Sequence, residues 1–296
     1  MSSAQSTAPL RWLVVGAAGM LGSRLVADLT GTGADVTGLT RADLDVTDAV
    51  AVLDAVRSVD ADVVVNTTAY TAVDAAEADE ERAFAVNADG PANLAAACAA
   101  TGAALLHVST DYVFPGDATT PYAEDAATGP ATAYGRTKLA GEQRVQALLP
   151  DRSAIVRTAW LYGPGGANFV STMLRLERER DTVDVVDDQH GQPTSTAVVS
   201  RALRDLAPLV AAGTATGAFH ATCSGETTWF GLARKAFELA GADPDRVHPT
   251  NSSTFTRPAP RPPYSVLSHA RWAEVGLSAP LGWERALENA FPTLTT

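Results

Sequence analysis

Residues 11–22 read Arg11-Trp12-Leu13-Val14-Val15-Gly16-Ala17-Ala18-Gly19-Met20-Leu21-Gly22. Trp12 to Val15 run without a polar break and stop at a glycine, the pattern of a strand buried on both faces. Met20 opens a stretch, reaching Thr30, that is long enough for a helix. Strand, glycine turn and helix in that order make an anion site. The glycines let the backbone approach closely, and the helix start offers unpaired N–H groups and a partial positive charge. The spacing is G-x-x-G-x-x-G instead of G-x-G-x-x-G, but the mechanics are those of a dinucleotide-binding turn. Gly16, Gly19, Met20, Leu21 and Gly22 are predicted to hold a cofactor's pyrophosphate.

Working outward, apolar runs recur at 34–39, 62–65, 104–108 and 154–157, separated by helix-length stretches at 48–58, 80–100 and 133–149. Strands alternating with helices predict right-handed crossovers and an α/β fold: a doubly wound, Rossmann-like parallel sheet. The alternation spans roughly residues 11–160, and the texture changes after Gly163. Residues 1–160 are therefore expected to form the dinucleotide-binding domain. Residues 161–296 form a smaller substrate-binding region that returns some chain to the sheet. Residues 1–10 read as a loose tail. The proline cluster from Arg257 to Pro263 is neither regular helix nor central strand; it is either a stiff surface linker or a rigid wall presenting Arg261 to a ligand.

Composition narrows the function. Of 296 residues 46% are hydrophobic, enough for a real core, and the net charge of −12 argues against a partner held through nucleic-acid phosphates. No apolar run approaches the roughly 20 residues of a membrane helix. Two cysteines, Cys98 and Cys223, cannot build a disulfide framework, and no two of the five histidines stand at metal-ligand spacing, so no metal is expected. The first residues lack the basic and apolar pattern of a secretory leader, which leaves a reducing cytoplasm as the expected compartment.

The end of the second strand selects the cofactor. A carboxylate there suits the ribose of NAD, and a basic residue suits the phosphate of NADP. The chain reads Leu39-Thr40-Arg41-Ala42-Asp43. Arg41 therefore favours NADPH, with NADH retained as the alternative; read alone, Arg41 is a solvated loop charge that Asp43 could partly cancel. Further on, Tyr134 and Lys138 stand four apart and share a helix face. A free phenol, with a pKa of about 10, is a poor acid at neutral pH. A neighbouring ammonium group favours the phenolate and makes the tyrosine a usable proton donor. Thr110, at the end of the fourth strand, stands where a hydroxyl can reach a substrate oxygen. Tyr134, Lys138 and Thr110 are the predicted catalytic set.

Together these segments resemble the extended short-chain dehydrogenase/reductase superfamily and, within it, the dTDP-4-dehydrorhamnose reductases. The likeness is carried by the glycine turn, Asp45 to Asp48, Asn66 to Glu77 (NTTAYTAVDAAE), Ser109 to Phe114 (STDYVF), Tyr134 to Glu142 (YGRTKLAGE), Arg157 to Trp160 (RTAW), Asp188 to Thr194 and the Arg-Pro-rich stretch ending at Leu267. It implies reduction of the C4 keto group of dTDP-4-dehydro-β-L-rhamnose by NADPH, giving dTDP-L-rhamnose in nucleotide-sugar biosynthesis. It further implies that Asp45, Val46, Thr68, Ala69 and Tyr70 lie along the cofactor. Thr71, Val73, Asp111, Tyr112 and Trp160 would contact the dTDP-sugar. Two alternatives stay open: another 4-ketoreductase or an epimerase of sugar nucleotides, or, in a different class, a regulatory subunit of methionine adenosyltransferase. The expected partner is the sugar nucleotide, with no nucleic acid and no membrane; a homodimer is left open.

Overall fold

The computed structural model describes residues 9–295; most of the expected N-terminal tail, residues 1–8, lies outside them. The first half runs β1 (Arg11–Val15), α1 (Met20–Gly31), β2 (Asp35–Leu39), α2 (Ala49–Val59), β3 (Val63–Asn66), α3 (Val73–Ala76), α4 (Glu80–Phe84), α5 (Gly90–Thr101), β4 (Ala104–Thr110), α6 (Ala133–Leu148) and β5 (Ser153–Thr158). The second half continues with β6 (Leu161–Tyr162), α7 (Phe169–Glu179), β7 (Val183–Val186), β8 (His190–Gly191), β9 (Thr194–Ser195), α8 (Thr196–Ala211), β10 (Gly217–His220), β11 (Thr227–Thr228), α9 (Trp229–Leu239), β12 (Val247–Thr250), α10 (Ala270–Glu274) and α11 (Trp283–Leu294).

The central sheet has six strands in the order β10-β5-β4-β3-β1-β2, and every pairing is parallel. Successive side chains of a strand point to opposite faces, and β1 divides accordingly. Trp12 and Val14 pack with Leu25 and Leu29 of α1 and Leu203 and Leu206 of α8. Leu13 and Val15 pack with Val52 and Val56 of α2 and Leu94 and Cys98 of α5. Because both faces are covered, the strands read as continuous apolar runs. The edge strand β10 and the covering helix α8 both come from beyond residue 160. A separate core joins Tyr162, Leu174, Val183, Leu232, Phe237 and Leu287, and it supports the part of the chain that faces the sheet's C-terminal end.

The single helix expected over 80–100 is interrupted. Between α4 and α5, residues Ala85–Asp89 form a π-helical turn. The widened turn leaves Asn87 buried, with its Nδ2 donating to Tyr70 O (3.2 Å) and Thr137 Oγ1 (3.1 Å) while Tyr70 N donates to its Oδ1 (2.8 Å). Gly141 of α6 makes room for the turn: a Cβ there would stand 2.1 Å from Asn87 O. An insertion of this kind has no period in the sequence and commonly marks a functional region.

Candidate active site

The strands' C-terminal ends open into a cleft of about 930 Å³, joined to a second of about 460 Å³ that runs past the end of β2. Gly19, Thr67, Thr68 and Ala69 line both. The turn after β1 is built by sterics. Gly16 has φ +90°, a conformation that favours glycine, and a Cβ on Gly22 would fall 2.2 Å from Gly16 O. The start of α1 is thereby pressed against the strand end. Gly19 N-caps α1 without a side-chain acceptor and no acid occupies the first turn, so the N–H groups of Met20, Leu21 and Gly22 face the cleft uncompeted. The donor set and the close backbone fit a bound pyrophosphate.

Along the second cleft stand Arg41, Asp45, Val46, Thr68, Ala69 and Tyr70. Asp43, the acid that might offset Arg41, instead accepts from Thr40 N (2.9 Å) and Oγ1 (2.7 Å), closing its own turn. Asp45 does the same with Thr47 N (2.9 Å) and Oγ1 (2.8 Å), which hold its carboxyl below the usual range, with a smaller pull from Arg41.

The main cleft brings together Thr71, Val73, Thr110, Asp111, Tyr112, Tyr134, Lys138 and Trp160. Helix α6 starts at Thr132, whose Oγ1 accepts from Gly135 N at 3.0 Å. This cap sets Tyr134 in the first turn and Lys138 one turn later. Burial raises the Tyr134 phenol to about 12, opposite to the lowering expected from a neighbouring ammonium group, and lowers the Lys138 ammonium to about 8. Lys138 Nζ donates to Val108 O at 2.8 Å. Behind it, Thr68 N and Oγ1 donate to Asn66 Oδ1 (3.0 and 2.6 Å), which orients Asn66 so that Nδ2 donates to His107 Nδ1 at 3.0 Å. His107 therefore carries its proton on Nε2, 3.5 Å from Lys138 Nζ. Burial holds that imidazole neutral.

Thr110 Oγ1 donates to Asp111 Oδ1 at 2.9 Å and accepts from Tyr112 N at 3.3 Å. Burial raises the Asp111 carboxyl to about 6. Tyr112 meets Tyr134 edge-on, ring centroids 5.6 Å apart. Opposite, Trp160 sits at φ +46°, in the left-handed region that costs a non-glycine residue of order 1 kcal/mol. Its indole stacks on Trp229, centroids 3.5 Å apart and planes 8° apart.

The family described as the RmlD substrate binding domain matches residues 10–296. The chain belongs to this family. This RmlD-family chain is 55% identical over 285 residues to a dTDP-4-dehydrorhamnose reductase of Streptomyces griseus, covering 96% of this chain and 94% of that one. It is 51% identical over 284 residues to a dTDP-4-keto-6-deoxy-D-glucose reductase of Streptomyces niveus, covering 96% and 97%. Its structure resembles that of a dTDP-4-dehydrorhamnose reductase of Bacillus anthracis in complex with NADP, at TM-score 0.91 and 36% identity over 96% of this chain and 99% of that one.

Several lining residues of this RmlD-family member escaped the sequence reading. Trp229, Phe169 and Phe255 reach the main cleft from the second half, and Arg82, Ala85 and Val86 reach the second cleft from α4 and the π turn. No spacing rule links Trp229 to Trp160. The arginines of the proline cluster were the one visible signal, and both Arg257 and Arg261 line the main cleft. Arg261, however, is turned onto Asp74.

Proposed function

We propose that the protein reduces the C4 ketone of a dTDP-4-keto-6-deoxyhexose, dTDP-4-dehydro-β-L-rhamnose, with NADPH. One observation carries the reading: Tyr134 and Lys138 lie one turn apart on the same cleft wall as Thr110, beside the glycine turn. Bound NADPH would supply the hydride.

Met20, Leu21 and Gly22 hold the pyrophosphate on free backbone N–H groups and the helix dipole, while Gly16 and Gly19, whose N–H groups donate to Leu39 O and Gly16 O, shape the turn that lets it approach. Asp45, Val46, Thr68, Ala69 and Tyr70 flank the adenosine half. As negative charge develops on the C4 oxygen, the Tyr134 hydroxyl donates the proton, and the Lys138 ammonium stabilises the phenolate left behind. Thr110 joins by exchanging Asp111 Oδ1 for the ketone oxygen as its acceptor. Thr71, Val73, Asp111, Tyr112 and Trp160 position the sugar nucleotide. Both cysteines are free and buried, which fits a reducing cytoplasm, and no helix among the described residues is long and apolar enough to cross a membrane.

The test is incubation of the pure protein with NADPH and the dTDP-4-keto sugar, following absorbance loss and identifying the product. Stoichiometric NADPH oxidation with dTDP-L-rhamnose as product supports the reading. Preferential turnover of dTDP-4-keto-6-deoxy-D-glucose would move the substrate to the one named for the Streptomyces niveus relative. Sugar conversion without net NADPH loss would make the protein an epimerase.

A further inference from the structure

We infer that Arg82, on α4, is a second cation of the adenosine 2′-phosphate site, facing the same cleft as Arg41, and that the two together set the preference for NADPH. The inference rests on the cofactor reading above and adds to it a residue that the strand-end rule does not reach.

Arg41 and Arg82 are both exposed and both line the second cleft, as do Asp45 and Val46. Several exposed arginines of this acidic chain are paired, among them Arg11 with Asp60 and Asp62, Arg144 with Asp89 and Arg175 with Glu179; of those without an ion pair, Arg41 and Arg82 are the two that line this cleft. Among the described residues no carboxylate lies within ion-pair distance of Arg41 or Arg82, and Asp45 feels only a weak pull from Arg41. The neighbouring acids are already engaged. Glu80 is held by Arg136 through Nε and Nη2 at 2.9 and 2.8 Å. Asp79 caps α4 by accepting from Arg82 N, and Glu81, adjacent in sequence, projects about 100° around the helix. Asp43 and Asp45 are tied into their own turns.

Two guanidinium groups outside any ion pair, one just after β2 and one on α4, thus line one cleft whose wall also carries Ala85 and Val86 of the π turn. A phosphate monoester carries close to two negative charges at neutral pH and three acceptor oxygens, which a pair of guanidinium forks matches better than one. NADH, with a neutral hydroxyl at that position, gains little from either arginine.

The experiment is equilibrium binding, by tryptophan fluorescence and calorimetry, of NADPH, NADH, 2′,5′-ADP and 5′-AMP. Arg82→Ala is expected to weaken NADPH and 2′,5′-ADP about tenfold or more while leaving NADH and 5′-AMP within about twofold; Arg82→Lys recovers part of the loss. Arg41→Ala acts in the same direction, and the double variant brings the NADPH and NADH constants together. Retained NADH binding also reports an intact fold. Unchanged 2′,5′-ADP binding in Arg82→Ala, or equal weakening of NADH, overturns the inference. A wild-type protein that binds NADH as tightly as NADPH overturns the cofactor reading beneath it, and this inference with it.

Discussion

Asp74 and Arg261, 187 positions apart, are joined by two parallel hydrogen bonds, Nη1 to Oδ1 at 2.9 Å and Nη2 to Oδ2 at 2.8 Å. Asp74 also accepts from Ala259 N at 3.2 Å and lies 3.8 Å from Arg257. The guanidinium of Arg261 holds the Asp74 carboxyl below its usual range. One carboxylate on α3 therefore pins the proline-rich strap that lines the main cleft, and two cations against one acid leave a net positive charge there. Asp74→Asn is expected to raise the KM for the dTDP-sugar about tenfold with little change in NADPH affinity. A double-mutant cycle with Arg261→Ala should return a coupling of about 1 to 2 kcal/mol. A cycle that closes to zero would make the strap independent of Asp74.

Tyr134 lines the main cleft, and the proposed mechanism makes its hydroxyl the proton donor. Tyr134→Phe keeps the ring against Tyr112 and removes the hydroxyl with its proton. Turnover should fall at least about a hundredfold, with NADPH binding unchanged within about twofold. Turnover within about threefold of wild type assigns the proton to another group.

Lys138 supplies a pH dependence. Its ammonium, brought to about 8 by burial, is the form that the proposed mechanism needs to stabilise the Tyr134 phenolate. Because the charged form is lost as pH rises, kcat/KM should decline above about pH 8, approaching tenfold per unit, while the far-UV circular dichroism stays constant. A profile flat to about pH 10 would separate the lysine charge from catalysis.

Asp111 trades stability for binding. Its folded value, about 6, lies above the 3.8 of an unperturbed aspartate, so the folded state binds more protons between about pH 4 and 6. Stability from this group is therefore fully present in acid and is lost as pH rises through that window, by about 3 kcal/mol at neutral pH. Asp111→Asn should raise Tm by several degrees at pH 7.5 and weaken substrate binding. An unchanged or lower Tm would mean that the carboxylate is better solvated than its burial implies.

Local physics made much of this protein legible from its residues. The alternation of buried strands and helices, the glycine turn and the four-residue spacing of Tyr134 and Lys138 each depend on neighbours within about 12 residues, where period and backbone sterics act directly. Contacts across long chain separations were not legible. The edge strand Gly217–His220 is too short to announce itself, and it exists because β5 offers it a partner. The π turn at Ala85–Asp89 follows from the space left at Gly141. Arg82 is left without an ion pair while Arg136 holds Glu80, Trp229 meets Trp160 only once the second core has folded, and Arg261 turns to Asp74 because the folded chain brings the two half-buried side chains together. Helix and strand are set by torsions along a few residues. The walls of the cleft are set by which side chains the packed elements bring together, and that information is distributed over the whole chain.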